Sequence, residues 1–226
     1  MTIVKESIIE HLQPLTLPIK QRFVEHFSGN ALDTFRWSTH ATGSGTEEFV
    51  MSDSIDGGLL IKSRPNGAAT LDFGPGDATK KRPFSPTGAV MILTSKMIEA
   101  QYSGQYNGFR TNHYTEAGKY VRMNIQGTTN GNSFDNKIIL MSNSPSANTD
   151  TGIASSAIHD WHTYKLELLS SSSTLSVDGV LSSTGFGTIS ANPDAQCQPS
   201  LVSSATEGSV TGGAQSHYGY VECYNT

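Results

Sequence analysis

The chain has 226 residues, a formal net charge of −5, and hydrophobic and charged fractions of 36 % and 15 %. An ordinary aromatic share of 8 % and so mild a charge exclude intrinsic disorder and argue against a nucleic-acid partner, since Lys80-Lys81-Arg82 is the only basic cluster. No run approaches the roughly 20 apolar residues of a membrane helix, so no membrane partner is expected either.

Residues 1–22 differ from the rest. Ile3, Val4, Ile8, Ile9 and Leu12 fall near helical spacing, which predicts a short amphipathic helix over Thr2 to Gln13 that Pro14 ends. This N-terminal arm is expected either to strap its own domain or to dock on a neighbouring subunit, giving a homo-oligomer or a larger protein shell. Lys5, Glu6 and Glu10 interrupt its apolar pattern, so it lacks the apolar core of a signal peptide. Synthesis in the cytoplasm is expected, or a leader has been removed.

From Phe23 to the end, residues 23–226 read as one domain of strands and turns. Leu59–Ser63, a Pro65-Asn66-Gly67 turn and the ATLDF segment come first. Ala89 to Tyr102 reads as a strand buried on both faces that passes into an alternating one. Gly108–Asn112 and Lys119–Gln126 alternate, with Tyr120, Arg122, Asn124 and Gln126 opposite Val121, Met123 and Ile125. Asn130-Gly131-Asn132 marks a hairpin, Lys137–Met141 continues as strand, and Ser142–Ser156 reads as a polar loop. Asp160–Leu181 forms strand, turn, strand and a tight Asp178-Gly179 turn. A Ser/Gly/Pro-rich stretch follows, and His217–Tyr224 closes the chain. About a dozen strands and no internal helix predict an all-β fold of two antiparallel sheets packed face to face in jelly-roll order.

Two stretches carry a family resemblance: FVEHFSGNALDTFRW (Phe23 to Trp37) and DWHTYKLELLSSSSTLSVDGVL (Asp160 to Leu181). Together with Tyr220, Val221 and Tyr224 near the end, they resemble the concanavalin A-like lectin/glucanase superfamily, including its laminarinase-like jelly rolls. The resemblance implies a β-sandwich whose concave sheet handles carbohydrate, with Trp37 and Trp161 in the core.

The glucanases of that superfamily carry an E-x-D-x-E strand, whose alternation puts the acids on one face. No acidic residues here have that spacing: Glu47-Glu48 are adjacent, Asp53 and Asp56 are three apart, and Glu99 has no acidic partner two residues away. Tyr114-Thr-Glu-Ala-Gly-Lys-Tyr120 is similar to a motif of alginate lyases at Tyr114, Ala117, Gly118 and Tyr120. That similarity implies a Tyr114 or Tyr120 acid/base and an Arg110 or Arg122 facing a uronate, but Glu116 and Arg122 depart from the motif.

Sugars are held by aromatic faces and planar polar groups, and Gln101 to Gln126 is rich in both. The glycan-binding candidates are Tyr102, Tyr106, Arg110, Asn112, Tyr114, Tyr120, Arg122, Asn124 and Gln126, with Gln105, Asn107 and Phe109 in the same stretch. No cofactor is expected. The seven His residues never occur at metal-ligand spacing, and Asn148, Asp150 and Asp160 could at most serve a structural Ca²⁺. Cys197 and Cys223 suit one disulfide or two thiols, according to compartment. The expected molecule is therefore a non-catalytic structural or glycan-binding surface module, similar to the decoration or attachment proteins of virus particles. The alternative is a glycan-cleaving enzyme, either a glucanase-like hydrolase or an alginate-type polysaccharide lyase.

Overall fold

The computed structural model describes residues 22–74, 84–98, 103–111, 119–127, 135, 137–143, 146–186, 196–205 and 213–226. All but one residue of the expected N-terminal arm lie outside them; Arg22 opens the first strand. Fifteen strands are described: β1 (Arg22–Glu25), β2 (Trp37–Ala41), β3 (Glu48–Met51), β4 (Leu59–Lys62), β5 (Ala68–Phe73), β6 (Ala89–Met97), β7 (Ser103–Arg110), β8 (Tyr120–Gln126), β9 (Lys137–Asn143), β10 (Ser146–Asp150), β11 (His162–Leu168), β12 (Ser172–Val177), β13 (Val180–Phe186), β14 (Gln198–Ala205) and β15 (Gln215–Asn225). One 3₁₀ turn at Ser155–Ala157 is the only helical turn among the described residues.

The strands form two antiparallel sheets. One runs β13-β12-β11-β6-β15-β4-β3, with β1 pairing the far half of β15; the other runs β10-β9-β8-β7-β14-β5-β2. This is the expected jelly-roll sandwich. Its core lies between the sheets and follows from period-two alternation. Val121, Met123 and Ile125 of β8 and Ile138 and Leu140 of β9 face Met91 and Leu93 of β6 and Tyr164, Leu166 and Leu168 of β11. Phe23, Phe27, Trp37, Phe73, Phe84 and Phe109 fill one end, with ring centroids 4.0–6.3 Å apart.

Some polar residues inside the sandwich are matched across it, whereas Trp37 Nε1, Asn107 Nδ2, Tyr164 Oη and Ser173 Oγ have no partner there. Ser95 Oγ donates to Gln105 Oε1 at 2.9 Å, Tyr218 donates to Asn107 Oδ1 at 3.1 Å, and Ser203 donates to the Ala214 carbonyl at 3.0 Å. Such buried bonds favour one register of sheet on sheet, because any slip strands a polar group. Gln105 and Asn107, counted with the sugar-binding stretch, therefore serve the interior.

Several sequence expectations are corrected. The Ser142–Ser156 loop contains β10, an edge strand paired with β9 from Ser146 to Asp150. The Ser/Gly/Pro-rich stretch contains β14, which lies in the middle of its sheet. Trp161 is half-buried at the surface, where its indole Nε1 donates to Asp56 Oδ2 at 3.1 Å and Lys96 sits 5.1 Å from its ring. Both cysteines are free thiols in the core, and burial pushes both thiol pKa values up. The Asp178-Gly179 turn is as expected: φ values of 50° and 81° match a two-residue hairpin turn.

Candidate functional site

Strands β5 and β14 are buried almost throughout, on both faces. For a central strand this ordinarily means apolar residues on each side. Here the inner side is apolar (Ala69, Leu71, Leu201), but the outer side carries Thr70, Asp72, Gln198 and Ser200. Asn124 of β8 points the same way and is 1 % exposed. A polar, recessed face on the back of a packed sheet is the feature that marks this molecule.

Strand register sets these side chains in rows. Ser38 pairs with Asp72, Asp72 with Ser200, Ser200 with Gly108, Gly108 with Arg122, and Arg122 with Met141. One row thus crosses β2, β5, β14, β7, β8 and β9. Beside it, His40 pairs with Thr70 and Thr70 with Val202, while Tyr106 pairs with Asn124.

At one end of the row, the His40 Nε2 lies 3.9 Å from Asp72 Oδ2; the carboxylate is fully buried and the imidazole side chain is 21 % exposed. At the other, the Arg122 guanidinium carbon stands 4.1 Å from the Tyr120 ring centroid and 4.5 Å from that of Tyr106, and Nη2 lies 3.3 Å from Met141 Sδ. Tyr106, Tyr120 and Arg122, together with Arg110, Ser200 and Val202, line a depression. Gly108 makes it possible. A Cβ there would lie 2.3 Å from the Val121 carbonyl oxygen and 2.5 Å from Arg122 Cα, so β7 and β8 approach closely only because the side chain is absent.

Between the ends, hydrogen-bonding capacity is left over. Thr70 Oγ1, Ser200 Oγ, Asn124 Oδ1 and both polar atoms of the Gln198 amide are buried with no hydrogen-bond partner in the protein. Buried polar groups are ordinarily satisfied, and each exception calls for an explanation.

Of the predicted sugar-binding residues, Tyr106, Arg110, Tyr120, Arg122, Asn124 and Gln126 sit on adjacent strands. Tyr102, Asn112 and Tyr114 lie outside the described residues, as does Glu99. His40, Thr70, Asp72, Gln198 and Ser200 were missed. The one available signal was an Asp inside the apolar ATLDF strand. The acids weighed for catalysis are engaged elsewhere: Glu47 with Arg64, Glu48 with Lys62, Asp56 with Lys96, and Asp53 with the Gly29 amide. Hydrogen bonds from Arg64 and Lys96 hold the Glu47 and Asp56 pKa values below the ordinary carboxylate range. Asp150, considered for Ca²⁺, is ion-paired with Lys137 at 2.8 Å.

No protein-family model matches the chain, and no curated protein matches it by sequence. Solved structures match over most of its length. An endo-acting O-glycanase of human gut microbiota that initiates mucin breakdown superposes with TM-score 0.64 at 11 % identity, covering 90 % of this chain and 98 % of that one. The catalytic domain of an endo-1,3-β-glucanase (laminarinase) from Thermotoga petrophila gives 0.60 at 15 % identity, covering 91 % and 98 %. The Crh5 transglycosylase gives 0.59 at 15 % identity, covering 91 % and 84 %. The chain shares the two-sheet jelly-roll fold of these proteins. The expectation of a non-catalytic surface module or virus-particle protein is corrected by this finding: the proteins that share the sandwich are mostly enzymes acting on glycans. That expectation rested on the missing E-x-D-x-E strand, the incomplete lyase motif and the apolar N-terminal arm.

Proposed function

We propose that the protein is a glycan-cleaving enzyme whose polysaccharide substrate lies along the outer face of the seven-stranded sheet. The observation that carries this reading is the set of buried polar atoms on that face, Thr70 Oγ1, Ser200 Oγ, Asn124 Oδ1 and both polar atoms of the Gln198 amide, whose hydrogen bonds no protein group takes up. A polyhydroxylated chain supplies alternating donors and acceptors at such a surface, and the Tyr106 and Tyr120 rings offer stacking faces beside it. The likeness in fold to an O-glycanase, a laminarinase and a transglycosylase supports the same reading.

His40 is the proton-transfer group of this proposal. Its side chain reaches solvent while the Asp72 carboxylate lies buried within 3.9 Å of it. A buried carboxylate stabilises the imidazolium that forms when the ring takes up a proton, and it orients the ring. His40 would then deliver the proton to the glycosidic oxygen as its bond to the anomeric carbon breaks, while a water, or an acceptor hydroxyl in transfer, bonds to that carbon and gives up its own proton to the imidazole or to solvent.

The test is product release from laminarin, mixed-linkage glucan, mucin, alginate and pectate. New reducing ends identify hydrolysis, unsaturated ends identify elimination, and a lengthened acceptor oligosaccharide identifies transfer. Product from one of these polymers that falls with His40→Ala is the expected result. Absence of product from all of them, by all three readouts, overturns the proposal.

A further inference from the structure

Arg122 differs from the other arginines whose partners are described. Arg22 pairs with Glu222, Arg36 with Asp33, and Arg64 with Glu47. Arg122 has no carboxylate among the described residues. Its five N–H donors meet a single acceptor, the thioether sulfur of Met141, which is a weak one. Its Nε is buried without a partner. The carboxylate on the same row, Asp72, is three strand spacings away, roughly 14 Å, which is beyond the screening length at physiological salt.

Two tyrosine rings hold the guanidinium in place, and Gly108 opposite leaves it uncovered. A half-buried cation with its donors unmatched is costly unless something completes it. The rings attract the cation without neutralising it. The geometry leaves the planar donor fork for a planar or tetrahedral oxyanion, which guanidinium binds bidentately.

We propose that Arg122 is the anion subsite of the glycan groove and that the substrate is an acidic polysaccharide, bearing a carboxylate or a sulfate ester on the sugar held between Tyr106 and Tyr120. The inference rests on the glycan reading of this face and adds the charge of the substrate to it. A chain of net charge −5 repels polyanions at long range. Preference for an acidic sugar must therefore come from this local cation and not from a general attraction.

Calorimetric binding to oligosaccharides of equal length tests it: a uronate oligomer, a sulfated galactan oligomer and a neutral laminari-oligosaccharide, each at low and high salt. The wild type is expected to bind one acidic oligomer at least about tenfold more tightly than the neutral one, as a charge-assisted contact warrants. The carboxylated and sulfated arms tell which oxyanion is taken. Arg122→Gln should bring acidic and neutral ligands within about twofold of each other, while Arg122→Lys, which keeps the charge, should retain part of the preference. Thermal midpoints of both variants separate loss of the subsite from loss of the fold. Equal binding of acidic and neutral oligomers by the wild type overturns the proposal, as does binding of none or an undiminished preference in Arg122→Gln. The two proposals fail separately. Binding of a uronate through Arg122 without any product sinks cleavage alone, and cleavage of neutral glucan without charge preference sinks the anion subsite alone.

Discussion

The outer faces of the two sheets are built from the same alternation and come out differently. On the eight-stranded sheet, Lys165 pairs with Glu167, Lys62 with Glu48, Arg22 with Glu222, and Lys96 with Asp56. Charges there sit beside their opposites and face water. On the seven-stranded sheet, Lys137 and Asp150 pair at the β9–β10 edge, but Arg122 and Asp72 stand three strands apart, and Thr70 Oγ1, Ser200 Oγ, Asn124 Oδ1 and the Gln198 amide are buried without a partner. The first face pairs its charges within the protein; on the second, the named polar atoms have no protein partner. Polar composition alone does not separate a solvated sheet from a binding one, but satisfaction of the polar groups does.

The largest expected effect tests whether the second face is the working one. His40→Ala should lower kcat/KM on the polymer that is cleaved by about 10²–10⁴-fold, the span of a lost proton-transfer group, with little change in thermal midpoint. Asp72→Asn should give a smaller loss, because the imidazole remains. Full activity in His40→Ala would move the chemistry off this face.

Gly108→Ala comes next. The added carbon meets backbone atoms at 2.3 and 2.5 Å, which cannot rotate away. Separating β7 from β8 should cost about 1–3 kcal/mol in denaturant unfolding, and it should displace Arg122 from Tyr106. Affinity for an acidic oligosaccharide is then expected to fall along with stability.

The third comparison sets one polar group from each environment side by side. Ser95→Ala removes the partner of Gln105 in the core and should destabilise by about 1–2 kcal/mol. Thr70→Val removes a buried hydroxyl that has no partner and should leave stability unchanged or raise it by about 1 kcal/mol, while weakening glycan binding. A stability gain coupled to a binding loss is the signature of a polar group kept for a ligand. Destabilisation by Thr70→Val would mean that the hydroxyl is satisfied after all.

These residues also explain what could be read from sequence. β8 was legible because Val121, Met123 and Ile125 alternate with Tyr120, Arg122, Asn124 and Gln126, and one face is apolar. Its candidate residues followed from the same pattern. β14 was not legible: Gln198, Ser200, Ser203 and Ser204 interrupt any alternation, because Ser203 on the inner side is satisfied by Ala214 across the core and Gln198 and Ser200 lie on the outer face. β10 is a polar edge strand and reads as loop for a similar reason. His40 and Asp72 were missed because they meet only through the pairing of β2 with β5. Sheet neighbours come from distant segments, and no spacing within one strand reports them. Trp161 matched its family pattern, yet at the surface Asp56 and Lys96 hold it. A pattern fixes the backbone path more firmly than the depth of a side chain.

The smallest effect belongs to the first face. Lys165→Met breaks the 2.8 Å pair with Glu167, whose side chains are 40 % and 29 % exposed. At such exposure the pair should contribute only about 0.2–1 kcal/mol. The hydrogen bond to Glu167 raises the Lys165 pKa above its ordinary value, and burial opposes it less strongly. The sign follows from linkage: a raised pKa stabilises the fold in full below the unfolded-state value of about 10.4, and that share fades as pH rises through the folded value. The wild type and Lys165→Met should therefore differ slightly in unfolding free energy at neutral pH and converge in strong alkali. Glycan binding should be identical in the two at neutral pH. If it falls in Lys165→Met, the ligand reaches both faces, and the contrast between the two sheets does not describe how this protein works.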